Sequence, residues 1–140
     1  MTVIDANNAI VGRLAAKIAP RLMKREKIEI INADKAVFTG RKEQIFAKYV
    51  QRTSITAKGN PEKGPKFSRM PDQIFKRAVR GMLTWKSAPG KAAYKNLRVH
   101  IGVPEELATA KAEIVKEAEN NSLKKVLTVG ELSKSLGAKW

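Results

Sequence analysis

No cysteine occurs among the 140 residues of this chain. That excludes disulfides, a thiolate nucleophile and any sulfur-ligated zinc site, and it fits a reducing cytosol. Histidine occurs once, at His100, which is poor material for a metal site or a proton relay. Aromatic residues make up 6%. No apolar run approaches the roughly 18 residues of a membrane span. The start, Met1-Thr2-Val3-Ile4-Asp5, has no basic stretch leading into an apolar one, so no signal peptide is expected. Acids are scarce in one place above all. From Gly40 to His100 there are three, Glu43, Glu62 and Asp72, against 15 Lys and Arg, a net +12 of the chain's +15.

What is present is a basic region between ordinary neighbours. Residues 1–39 carry seven bases and four acids, and residues 101–140 carry six of each. A field polarised in this way favours a polyanion partner. A membrane-surface protein would instead concentrate its bases and aromatics on one amphipathic helix. Here the bases spread over helices and loops alike, which suits a folded RNA or a duplex. The 43% hydrophobic content supplies a core, and the length suits a single domain, residues 1–140.

The apolar spacing predicts alternating strands and helices. Val3-Ile4-Asp5 is a short strand. Val11, Leu14, Ala15, Ile18, Ala19 and Leu22 make one helical face, with Pro20 expected to kink or break it. Ile28–Ile31 is a second strand, ended by Asn32-Ala33-Asp34. Gly40 marks a turn before a helix over Arg41–Val50. Residues 51–69 hold Gly59, Pro61, Gly64 and Pro65 and read as a basic loop, with a short strand allowed near Thr53–Ala57. Pro71 opens a helix with Ile74, Phe75, Ala78, Val79 and Met82 inward. Pro89-Gly90 reads as a turn and Leu97–Ile101 as a strand. Pro104 opens a further helix lined by Leu107, Ala110, Ile114, Val115 and Ala118. Thr128 and Glu131 have capping-box spacing, and Gly137 ends the short helix they start. This alternation implies α/β architecture with a parallel sheet.

Catalytic motifs find little support. Gly12 stands alone where a dinucleotide fingerprint has three glycines. Gly40-Arg41-Lys42 lacks the upstream glycine and the following Ser/Thr of a phosphate loop. His100, in an apolar strand pattern, reads as packed or hydrogen-bonded rather than as a base. Met23, Met70 and Met82 read as core.

At Val79-Arg80-Gly81-Met82-Leu83 the chain resembles the signature of the universal large-subunit ribosomal protein thirteen (L-thirteen) family. Val3-Ile4-Asp5-Ala6 with Gly12-Arg13-Leu14-Ala15, Ile31-Asn32-Ala33-Asp34 with Thr39-Gly40, Arg69-Met70-Pro71, and Gly90 with Leu97–Gly102 follow in the family's order. Thr84-Trp85, where bacterial-type members have proline, the charged segment after Pro104 and the short length point to the archaeal type. The resemblance implies a three-layer α/β/α fold with a four-stranded parallel sheet. It also implies a non-enzymatic, cytoplasmic component of the large ribosomal subunit, without cofactor, metal or small-molecule substrate. Its partners would be large-subunit ribosomal RNA, bound early in assembly, and neighbouring ribosomal proteins.

For such a partner, charge placement nominates Arg52, Lys58, Lys63, Lys66 and Arg69 in the loop, Lys76, Arg77 and Arg80 on the signature helix, and Lys86 and Lys91 beyond it. Gly81 either lets RNA backbone or a neighbouring segment approach closely or ends the helix. Trp85 and Tyr94 are expected to be buried, with stacking on bases as the second reading. Arg13, Lys17 and Arg21 form a weaker face. The tail after Pro104 is expected to be a charge-neutral helical extension. A free-standing RNA- or DNA-binding regulator and an α/β enzyme for anionic substrates are the competing readings.

Overall fold

A computed structural model describes residues 1–121 and 123–140. In chain order it contains β1 (Thr2–Asp5), α1 (Val11–Met23), β2 (Ile28–Ile31), β3 (Val37–Thr39), α2 (Lys42–Ser54), α3 (Pro71–Met82), α4 (Ala88–Lys95), β4 (Leu97–Val99), β5 (Val126–Thr128) and α5 (Val129–Ser135). Short 3-10 turns lie at Ala33–Lys35, Pro61–Lys63, Glu105–Leu107 and Lys116–Ala118.

The fold is mixed α/β, and its parallel sheet has three strands rather than the expected four. Their order is β1-β2-β4, with Ile4 opposite Ile30 and Ile30 opposite Val99. β3 instead pairs antiparallel with β5, placing Phe38 opposite Leu127. Along the outer edge of β1 runs a single-residue bridge. The Glu113 amide donates to the Val3 carbonyl at 2.8 Å, and the Glu113 carbonyl accepts from the Asp5 amide at 3.0 Å. That bridge explains why the helix predicted after Pro104 does not form. An amide and a carbonyl committed to a strand edge cannot also join an i to i−4 ladder. The tail is therefore two 3-10 turns, β5 and α5, not a helical extension.

The period-2 alternation of the strands divides the core. Ile4, Ile28, Ile30 and Leu97 face a main cluster to which α1 contributes Leu14, Ile18 and Leu22, α3 Ile74, Phe75 and Val79, and α5 Leu132. Ile45, Phe46 and Tyr49 of α2 pack partly against it. The opposite face carries Val3 and Ile31, covered by Leu107 and, more loosely, Ala110 and Ala112. The second outer layer is thus the 105–113 segment, not a helical layer.

Other local expectations divide the same way. α1 runs continuously through Pro20. Pro20 sits in the last turn, where it removes one hydrogen bond, and both it and Ala16 are exposed to water. α2 continues to Ser54, so no strand starts at Thr53. Pro89 and Gly90 lie in the first turn of α4, with the Ser87 hydroxyl accepting from the Gly90 amide at 3.3 Å. A Cβ at Gly90 would stand 2.0 Å from the Thr84 carbonyl oxygen, so glycine is required by close approach there. The strand after α4 stops at Val99 rather than Ile101. Met23 and Met82 are 40% and 45% exposed, against their expected burial. α5 starts as its capping spacing predicts, with Thr128 Oγ1 accepting from the Glu131 amide at 3.1 Å, and Gly137 follows at φ +85°.

Phe75 is fully buried at the junction of α3 with the sheet. Replacing it by Ala should cost about 3–5 kcal/mol in urea-induced unfolding. A loss below about 1 kcal/mol would show that α3 is not held by its inward face.

Candidate nucleic-acid interface

The same helix that buries Phe75 carries three of the nominated cations outward. α3 turns Ile74, Phe75 and Val79 inward and leaves Lys76, Arg77 and Arg80 half-buried at its outer edge. Each of the three lies over an aromatic ring. Arg77 stands 4.3 Å from the centroid of Phe67, Arg80 5.3 Å from Trp85, and Lys76 5.0 Å from Tyr94. Trp85 and Tyr94 meet edge to face at 4.9 Å. On α2, Arg52 stands 5.4 Å over Tyr49. The rings attract the cations without neutralising them, and each contact is worth about 0.5–1 kcal/mol at such exposure.

Arg77 also ties the loop to the helix. Its Nη1 donates to the Lys66 carbonyl at 3.2 Å, while its guanidinium covers Phe67. The far end of the loop is held by the tail. Ser133 Oγ, fully buried on α5, donates to the Arg69 carbonyl at 2.7 Å and accepts from Trp140 Nε1 at 3.0 Å. Ahead of these anchors Lys58 and Lys63 are exposed, and the side chains of Lys66 and Arg69 are exposed beside their anchored carbonyls. Lys86 follows Trp85, and Lys91 lies exposed on α4 one turn before Tyr94. Burial raises the phenol pKa values of Tyr49 and Tyr94. Arg52 and Arg77 oppose this at Tyr49, and Arg80 and Arg77 at Tyr94.

The nominated residues therefore separate into groups. Lys76, Arg77, Arg80 and Arg52 lie over rings supplied by α2 (Tyr49), the loop (Phe67), the segment before α4 (Trp85) and the last turn of α4 (Tyr94). Lys58 and Lys63 stand apart on the loop. Gly81 lies inside the last turn of α3 with open space where a Cβ would be, so neither a neighbouring segment nor a strained turn requires it. Trp85 is 38% exposed rather than buried. The rings of Tyr49 and Phe67 were missed as site residues; the predicted helix ended at Val50 and left Arg52 in the loop, whereas α2 runs to Ser54 and carries Tyr49 and Arg52 three residues apart. Lys124 and Lys125, from the charge-neutral tail, stand beside Arg41 and Lys42 in a cleft at the end of the β3–β5 pair.

The weaker face on α1 is largely neutralised. Arg21 bonds Glu26 through Nε and Nη2, and Glu113 through Nη1 and Nη2. Lys17 pairs with Glu117. His100 Nε2 lies 3.2 Å from Glu29 Oε2, as a hydrogen-bonded histidine should. Among the described residues no group of His, Asp and Glu is placed to hold a metal ion, and no helix is long and apolar enough to cross a membrane.

Two outcomes follow from these contacts. Ser133→Ala leaves the Arg69 carbonyl and the Trp140 indole without their partner. It should cost about 1–3 kcal/mol, read by thermal unfolding; an unchanged midpoint would dismiss the anchor. Hydrogen bonds from Arg21, and then from Thr2, hold the Glu26 carboxyl at about 2, below its ordinary 4.5. A depressed folded-state value means stability that is present above the ordinary value and lost as pH falls. Stability should thus decline from pH about 4.5 towards 2, and Glu26→Gln should remove that part of the decline. Identical acid profiles for the two proteins would refute it.

Comparison with known proteins adds a family. The model described as Ribosomal protein L13 matches residues 1–106. The large ribosomal subunit protein uL13 of Archaeoglobus fulgidus is 48% identical over 139 residues, covering 97% of this chain and 87% of that protein. The proteins of the same name from Methanosphaera stadtmanae and Methanococcus maripaludis are 44% and 45% identical over 141 residues. Both alignments span the whole of this chain, with 99% and 100% of the respective relative.

Proposed function

The chain belongs to the ribosomal protein L13 family, and from that premise we propose that it is a non-catalytic constituent of the large ribosomal subunit, cytoplasmic and of archaeal type. In this reading it binds large-subunit ribosomal RNA, early in assembly, through the cations on α2 and α3 and the basic loop. The observation that carries the reading is the placement of Lys76, Arg77 and Arg80 on one helix, each over an aromatic ring and none paired with a carboxylate among the described residues. Cations held in place but not neutralised are available to phosphate, and each phosphate contact releases condensed counterions.

The residues then take distinct roles. Arg52, Arg77 and Arg80 offer forked donors for phosphate oxygens, and Trp85 offers an exposed ring for stacking. Lys58, Lys63, Lys66 and Arg69 follow the RNA backbone along the loop. Lys86 and Lys91 extend the surface, and open space at Gly81 lets the RNA come close to the helix. A helix read by its backbone and shape needs such a broad set of phosphate contacts rather than base-specific ones. A single domain of residues 1–140 carries this surface. The 101–140 tail, with six bases against six acids and Ile114 62% exposed, faces neighbouring ribosomal proteins.

Replacing Arg77 and Arg80 by Ala should lower affinity for a large-subunit ribosomal RNA fragment. It should also reduce the slope of log affinity against log salt by about one per lost contact. An unchanged slope would sink their phosphate role. Amides from Lys58 to Lys66 should exchange fast in the free protein and slow on RNA binding; strong protection in the free protein would contradict ordering by RNA.

A further inference from the structure

Between α2 and α3, roofed by the end of the basic loop, lies a groove of about 420 Å³, within the ~300–1,000 Å³ range of ligand sites. Tyr49 and Phe67 bring aromatic surface to it, and Ile74 lies at its base. Arg52 and Arg77 stand at its margin, and Thr53 and Gln73 supply polar groups. None of its lining residues is acidic. Aromatic walls, two forked cations and no carboxylate suit a ligand that is flat at one end and anionic at the other.

The polar groups offer a defined pattern. Thr53 Oγ1 donates its hydrogen to the Val50 carbonyl at 2.9 Å, so towards the groove it can only accept. Gln73 Nε2 donates one hydrogen to Asp72 at 2.9 Å, leaving its second hydrogen and Oε1 free. Arg77 uses Nη1 on the Lys66 carbonyl, leaving Nε and Nη2. The groove thus presents one amide donor, two acceptors and unspent guanidinium hydrogens around an apolar base.

We propose that this groove takes a single unpaired RNA nucleotide, with its base against Tyr49 and Phe67 and its phosphate held by Arg52 and Arg77. The inference rests on the RNA-binding reading above and names what that reading leaves open, a seat for one unstacked base. The convex surface of a duplex keeps its bases stacked out of reach of a concave site. A splayed nucleotide from a loop or bulge can enter, and unpaired bases are the part of RNA that side chains recognise by stacking and edge hydrogen bonds. Thr53 and Gln73 read the base edge.

The test uses the full chain with short uridylate and adenylate oligomers, a blunt RNA duplex and a large-subunit ribosomal RNA fragment. Single strands should photocrosslink at Tyr49 or Phe67, and Phe67→Leu should weaken their binding roughly tenfold, a clearly larger loss than for the duplex. Gln73→Ala, at an exposed residue, should narrow the difference in affinity between the two oligomers, and it decides the matter if Phe67→Leu does not fold. Equal losses for single strand and duplex, or an unaltered oligomer preference in Gln73→Ala, would overturn the groove assignment. Crosslinks elsewhere, with the ribosomal fragment still bound, overturn the groove and leave the ribosomal reading standing. Failure of the unmodified chain to bind the ribosomal fragment overturns both.

Discussion

Burial of the inward face of α3 is the constraint on which the rest depends. Ile74, Phe75 and Val79 lock this helix between α1, α5 and the sheet, and the 3.6-residue period then sends Lys76, Arg77 and Arg80 outward. Because the core sets the helix rotation, the cations have fixed directions before any partner arrives. Affinity is not spent on ordering them, which is the advantage of a preorganised surface. The loop that adds further bases has few apolar residues of its own. It depends on α3 through Arg77 and on α5 through Ser133.

Like charges at this density repel, and the fold handles this differently on its two sides. On α1 the bases meet acids: Arg21 with Glu26 and Glu113, and Lys17 with Glu117. On α2 and α3, Arg52, Lys76, Arg77 and Arg80 instead meet rings: Tyr49, Tyr94, Phe67 and Trp85. A carboxylate cancels the field that attracts phosphate, whereas a ring holds the cation and leaves the field intact. The scarcity of acids between Gly40 and His100 is therefore matched by a structural substitute.

The tail shows how little balanced charge says about role. Its net charge is zero, yet it supplies Leu127, Val129, Leu132 and Leu136 to the main core and the bridge at Glu113 to the sheet edge. It also anchors the basic loop from behind, through Trp140 and Ser133. A segment that reads as an appendage closes the structure.

The local elements were legible from residue order wherever a periodic apolar face or a cap was decisive. α1 and α3 followed from their spacing, α5 from Thr128 and Glu131, β1 and β2 from short apolar runs. The basic region, and with it the expectation of a polyanion partner, followed from composition alone, and the family from motifs in sequence. What required the tertiary structure was everything set by long-range partners. β3 and β5, neither of them predicted, pair antiparallel across some ninety positions of chain, and no fourth strand joins the parallel sheet among the described residues. Ala-rich residues 105–118 had helical spacing, but bonding to β1 overrode it. On α1, Lys17 and Arg21 looked available until Glu117 and Glu113, distant in sequence, paired with them. Local propensity acts between residues a turn apart. Pairing and charge compensation act between residues that only the folded chain brings together.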